Sequence, residues 1–184
     1  REARSWLSRH PEVVVVGGGL VGVKTAAHLA GHNFSVTLVE KESQLLPQAL
    51  SPASSSLIEA HLKGKNIRLL LGSTVKDVQV AEGAISGVQV NGKWLPCQTL
   101  FISAGSLPEL GLLEGSDLLQ DGRLEVTPAL QSRDKNIFAA GDAVTIVKDG
   151  NFTPWTWPQA VVQGKLAAEN IYSSSPRSLN CLSR

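Results

Sequence analysis

The sequence predicts an α/β fold, a parallel sheet in three layers with an antiparallel meander inserted in it. Residues 12–71 alternate short β-branched runs with stretches of helical composition, in the order strand, helix, strand, helix, strand. Three short alternating segments follow between residues 75 and 97. A further apolar segment, Gln98 to Ser103, stops at Ala104-Gly105, as a strand rejoining a parallel sheet would at its carboxyl edge.

Val13 to Val16 is β-branched throughout and runs into three glycines. The Ala-rich stretch from Leu20 to Ala30 predicts a helix, closed by Gly31. Ser35 to Glu40 reads as the second strand, and after a loop holding Pro47 and Pro52, Ser54 to Lys63 reads as a helix ending at Gly64. Ile67 to Leu71 completes β-α-β-α-β. Val75 to Val80, Ile85 to Val90 and Lys93 to Cys97 then form the meander, with Asn91-Gly92 suited to a type I′ turn.

Residues 105–122, rich in Leu and Gly with Pro108 among them, predict an irregular crossover with at most a short helix, and a domain boundary. Beyond it Leu124 to Val126 and Asn136 to Ala139 are expected as short strands, the second stopping at Gly141-Asp142. Gln159 to Tyr172 predicts a helix introduced by Trp157-Pro158, proline being tolerated in a first turn. Ser173 to Arg184 is expected to be a flexible tail.

A chain of 184 residues accommodates one domain, or one and part of another, but not two complete nucleotide-binding domains. Its net charge of +1 provides no field for nucleic acid or an anionic membrane. No apolar run approaches the ~20 residues of a transmembrane helix. Cys97 and Cys181 are 84 positions apart and form no Cys-x-x-Cys, so reduced thiols and a cytoplasmic location are expected. His10, His28, His32 and His61 show neither metal spacing nor a catalytic partner, and no general acid or base is identifiable. The sequons at Asn33 and Asn151 are read as chance, since no N-terminal signal segment accompanies them. A start at Arg1 and the lack of any methionine are expected of an excerpt or a processed product.

Gly17-Gly18-Gly19-Leu20-Val21-Gly22 satisfies G-x-G-x-x-G, and its place between a predicted strand and helix gives the match weight. Gly17 permits a tight turn, Gly19 leaves room for a pyrophosphate, and Gly22 lets the helix pack closely. The helix N-terminus, with Leu20 and Val21 in its first turn, offers unpaired N–H donors and about half a positive charge. Glu40 ends the second strand about 20 residues on, where a carboxylate accepts hydrogen bonds from an adenosine ribose. A 2′-phosphate at ~4 Å would meet repulsion of about 4 kcal/mol per charge pair, more than Lys41 would offset. The pattern therefore favours NAD(H) over NADP(H) on a Rossmann-like fold.

These residues, with Leu45-Leu46-Pro47, the meander and Ser103-Ala104-Gly105, resemble the NAD(H)-binding domain of FAD-dependent pyridine nucleotide-disulfide oxidoreductases. Asn136-Ile137-Phe138-Ala139-Ala140-Gly141-Asp142-Ala143 is similar to the family's second flavin motif. Trp157-Pro158-Gln159-Ala160 and Gln163 to Asn170 resemble the helix that meets the isoalloxazine, as in the NADH-rubredoxin reductase and nitrite reductase flavoprotein branch. The likeness covers about residues 12–172.

The resemblance implies an NAD(H)-binding domain over residues 1–105, the C-terminal portion of an incomplete FAD domain over 106–172, and a tail over 173–184. By the same analogy Ser73 and Val75 lie near adenine and Gly105 near the nicotinamide half. Gly141, Asp142, Ala143, Trp157 and Pro158 then belong to a flavin site, the aspartate accepting from the flavin's hydroxyl-bearing chain. The intact protein would take a hydride from NADH to FAD and pass electrons to an unknown acceptor, protein or small molecule, and a homo-oligomer is among its expected assemblies. Lys24 stands where the family pattern has glutamate, and the other half of the flavin domain is not in the sequence. A non-enzymatic NAD(H)-binding module that senses redox state, or an inactive truncated product, therefore remains the alternative.

Overall fold

A computed structural model describes residues 11–147 and 156–179. Its elements in the first part are β1 (Glu12–Val16), α1 (Leu20–Ala30), β2 (Ser35–Val39), α2 (Pro52–Gly64) and β3 (Arg68–Leu70). The meander is β4 (Val75–Ala81), β5 (Ala84–Val90) and β6 (Lys93–Pro96), and the chain returns in β7 (Thr99–Ile102).

The parallel sheet has the order β3-β2-β1-β7, with Val15 opposite Leu38 on one side and Phe101 on the other. Side-chain alternation in the strands splits the core in two. Val13, Val15, Val36 and Leu38 pack with Ala26 and Leu29 of α1 and Leu62 of α2. Val14 and Val39 face the opposite way and pack with Val88, Val90 and Cys97 of the meander. Helices, parallel sheet and meander are therefore the three layers, as the alternating pattern predicts.

Two-residue turns close both hairpins of the meander, with positive φ at Glu82 and Gly83 and at Asn91 and Gly92. Boundaries differ slightly from those expected. β2 stops at Val39, leaving Glu40 just past the sheet. Helix α2 starts at Pro52 instead of Ser54, because Ser51 accepts from the Ser54 N–H at 3.3 Å and proline occupies the first turn.

The chain divides into two compact units, the second beginning at Ser106. Its elements are β8 (Leu119–Gln120), β9 (Arg123–Val126), β10 (Val144–Ile146) and α3 (Trp157–Ile171). These strands form a sheet of order β10-β9-β8 among the described residues, over a core of Leu124, Val126, Leu130, Val144, Ile146, Ala167 and Leu179.

Two expectations are corrected here. The Leu and Gly-rich crossover ends in a hairpin, because Asp121 and Gly122 both take positive φ between β8 and β9. Asn136 to Ala139 is not a strand: Phe138 makes an isolated bridge to Gln131, while the Asn136 and Ile137 N–H groups fold back onto Asp134 at 2.8 and 3.0 Å. Val144–Ile146 supplies the strand instead, running parallel to β9.

Residues 173–179, within the segment expected to be a flexible tail, are tethered. Asn170, almost wholly buried, donates to the carbonyls of Ala129 and Arg177 at 2.9 and 2.8 Å and accepts from the Arg177 N–H at 2.9 Å. The Leu179 N–H donates to the Pro128 carbonyl at 2.7 Å, and its side chain is buried.

Candidate functional site

The carboxyl ends of β1, β2 and β7 meet around the glycine turn. From β1 the chain winds to β2 on one side and reaches β7 on the other through the meander, so a crevice opens outside the strand ends, where ligands bind in sheets of this kind. Gly17 has φ of +105°, and a Cβ on it would overlap the Ser103 carbonyl oxygen. The Ser103 N–H in turn donates to the Val16 carbonyl at 2.7 Å, so the end of β7 lies directly against the turn.

Gly22 is closed in: a Cβ there would overlap the Gly17 carbonyl oxygen. Gly19 is the opposite case, with no atom within 4 Å of the place its Cβ would occupy. It is also the N-cap of α1 and supplies no side-chain cap, so the first intrahelical bond runs from Val23 N–H to the Gly19 carbonyl at 3.0 Å. The N–H groups of Leu20, Val21 and Gly22 precede that bond and lack i−4 acceptors in the helix. Open space in front of uncapped donors is the arrangement an anion needs.

Glu40 has a role the sequence pattern does not disclose. Only 6% exposed, it accepts the Gly18 N–H on Oε2 and the Glu42 N–H on Oε1, the latter at 2.8 Å. Its backbone joins the same knot, donating to the Leu70 carbonyl and accepting from the Ser73 N–H, each at 2.9 Å. The glycine turn, the exit of β2 and the exit of β3 are therefore held by one residue. Lys41 and Glu42 are both exposed in this loop, and their charged groups approach to 3.6 Å.

Ser73 is buried beside Glu40, and its hydroxyl donates to the Leu71 carbonyl at 2.9 Å while accepting from the Asn91 amide at 3.0 Å. Asn91 was readable only as a turn residue; its side chain also ties the meander to the loop at Ser73. Val75 begins β4 and packs on the meander core. Gly105, with φ of +107°, follows β7 at the other side of the crevice. Lys24 is exposed on α1 and, with Thr25, His28 and Phe101, borders an open groove.

In the second unit Gly141, with φ of +82°, starts a 3₁₀ turn over Gly141–Ala143. Its N–H donates to Oε1 of the buried Gln163 at 2.7 Å, which sets the turn against α3. Asp142 is exposed there, and Ala143 leads into β10. Helix α3 has Thr156 as an N-cap without a side-chain cap bond, and Trp157 and Pro158 in its first turn; Trp157 is 78% exposed. An exposed carboxylate, a left-handed glycine and an uncapped helix start together fit the hydroxyl-rich and anionic parts of a nucleotide cofactor. Trp155 and Cys181 lie outside the described residues.

Among the described residues no group of three or more His, Cys, Asp or Glu converges as metal ligands would. Within them no helix is long and apolar enough to cross a membrane.

Comparison with known proteins agrees with this architecture. The chain is 33% identical over 175 residues to Fe-regulated protein 8 of Mycosarcoma maydis, covering 93% of this chain and 43% of that protein. It is 24% identical over 180 residues to rubredoxin-NAD(+) reductase of Pseudomonas putida, covering 95% of this chain and 46% of the relative. The ferredoxin reductase for the CYP199A2 system from Rhodopseudomonas palustris superposes with a TM-score of 0.84 at 22% identity, over 97% of this chain and 45% of the other. The chain thus spans less than half the length of each of these proteins. Residues 2–164 match the pyridine nucleotide-disulphide oxidoreductase family, and the chain belongs to that family.

Proposed function

We propose that the chain is the dinucleotide-binding part, with the adjoining portion of the flavin domain, of an FAD-dependent NAD(P)H oxidoreductase. The observation that carries this is the uncapped N-terminus of α1 opening on empty space at Gly19, at the carboxyl ends of β1 and β7. Gly17 and Gly22 shape the turn, and the N–H groups of Leu20 and Val21 receive the pyrophosphate. Glu40 and Lys41 flank the adenosine side with Ser73 and Val75 behind them, and Gly105 flanks the nicotinamide side. Gly141, Asp142, Ala143, Trp157 and Pro158 form the portion of the flavin site present in this chain.

The chemistry supplied by the bound cofactors is hydride transfer from nicotinamide to flavin; the protein contributes position and electrostatics. Electrons then pass to an acceptor, for which the rubredoxin and ferredoxin reductase names of similar proteins suggest a small redox protein. The Lys24 side chain, where the family pattern has glutamate, is exposed in the second turn of α1.

Titrating the 184-residue chain with NADH tests the reading. Saturable enhancement of NADH fluorescence and a rise in melting temperature are expected, and the absence of both overturns it. Bleaching of flavin by NADH in the complete protein separates an oxidoreductase from a module that only senses the nucleotide.

A further inference from the structure

The carboxyl-terminal end of α1 carries two histidines to which spacing alone gives no chemistry, since Gly31 falls between His28 and His32 and a helix is expected to close there. The structure continues the winding through that glycine. Gly31 keeps a helical φ of −64°, and the His32 N–H donates to the Leu29 carbonyl at 2.9 Å, so His32 follows His28 by one turn. Both residues are exposed, their ring centroids 4.5 Å apart and their planes tilted by 44°. His32 Nδ1 lies 2.9 Å from the His28 carbonyl oxygen. A carbonyl only accepts, so Nδ1 carries the hydrogen and the neutral ring keeps its lone pair on Nε2. A histidine that binds metal through one nitrogen ordinarily anchors the other in this way.

We infer that His28 and His32 form a two-imidazole site for a divalent transition-metal ion, Cu²⁺ above all. Metal–nitrogen bonds of about 2.0 Å, with about 1.1 Å more to each ring centre, set two rings about 4.4 Å apart when they meet at a right angle and about 5.1 Å apart at a tetrahedral one. The 4.5 Å between His28 and His32 is the spacing of adjacent corners in the square arrangement that Cu²⁺ and Ni²⁺ prefer. Water completes the coordination: both residues are open to solvent, and among the described residues no third His, Cys, Asp or Glu converges with them. The last carbonyls of α1 favour a cation at this end, and the Lys24 ammonium one turn earlier is exposed and screened by solvent. The site is independent of the dinucleotide reading, since Gly19 caps the other end of the helix, about 13 Å away along its axis.

Titration of the 184-residue chain, prepared without a histidine tag, with Cu²⁺ alone tests this by calorimetry and electron paramagnetic resonance. One Cu²⁺ should bind with a tetragonal spectrum split by two nitrogens, more tightly than Ni²⁺ or Zn²⁺, and Mg²⁺ and Ca²⁺ should fail to compete. His28→Ala and His32→Ala should each weaken binding by at least about tenfold, the loss that even an outer partner of a metal ligand brings, and should reduce the splitting to one nitrogen. His61→Ala, at an exposed position of α2, should leave both readouts unchanged. All three positions are exposed, so the variants should keep the circular dichroism of the unmodified chain. The inference is overturned if the unmodified chain binds no Cu²⁺, if binding survives both His28→Ala and His32→Ala at full strength, or if His61→Ala abolishes it.

Discussion

Gly19 and Gly22 lie in one helical turn, and a single methyl group separates their roles. Gly19→Ala adds a Cβ to open space, so the melting temperature should barely change while NADH affinity falls about tenfold, the methyl occupying the approach of the pyrophosphate. Gly22→Ala drives a Cβ into the Gly17 carbonyl and should cost about 1–3 kcal/mol of stability, read by urea denaturation. Cys97 gives a pH prediction. Burial in the meander core raises its thiol pKa, an effect that outweighs the opposing hydrogen bonds with the Val14 and Thr99 backbone. The associated stability is present below the unfolded-state pKa and lost as pH rises towards and through the higher folded-state value, because the unfolded chain ionises first. Urea midpoints should therefore decline above about pH 9, and Cys97→Ala should lessen that decline. The three motif glycines were legible because their spacing and backbone needs are local. The contact between Glu40 and Gly18 was not, since one partner is a main-chain N–H that any residue would offer, and the same holds for Ser73 held by Asn91 across 18 positions.

At the scale of elements, caps and tethers carry the testable content. Ser51→Ala should destabilise by about 1 kcal/mol through the N-terminus of α2, leaving NADH affinity untouched. Asn170→Ala removes the buried amide that joins α3 to Ala129 and Arg177, and should cost about 2–3 kcal/mol. Trypsin cleavage after Arg177 should then quicken well before the rest of the chain is cut. The β-α-β-α-β order and the meander were legible because β-branched runs, an Ala-rich helix and Asn91-Gly92 each prefer the structure that they adopt. Asp121-Gly122 carried the same kind of hairpin signal, hidden in a Leu and Gly-rich stretch where β8 has just two residues. Asn136 to Ala139 misled because apolar composition does not reveal that Ser132 and Asp134 capture the neighbouring backbone groups. The docking of Leu179 depends on distant partners, Pro128 and the Asn170 region, which a serine-rich segment does not announce.

For the molecule as a whole, each unit has its own core: helices, parallel sheet and meander in the first, and β8 to β10 with α3 in the second. Residues 1–105 expressed alone should melt cooperatively by circular dichroism and retain NADH affinity within about threefold, since the first unit holds both its core and its glycine turn. Loss of binding on excision would place part of the nucleotide site in the second unit. The Glu40 knot also bears on kinetics. Because the loop at the exit of β2, which the proposed function sets beside the nucleotide, is already clamped from three directions, its conformational entropy is lost when the polypeptide folds and would not be lost again on binding. Association should thus be a one-step encounter without a slow isomerisation phase in stopped-flow traces, and residence time, governed by departure from a rigid mould, should account for differences in affinity among nucleotides.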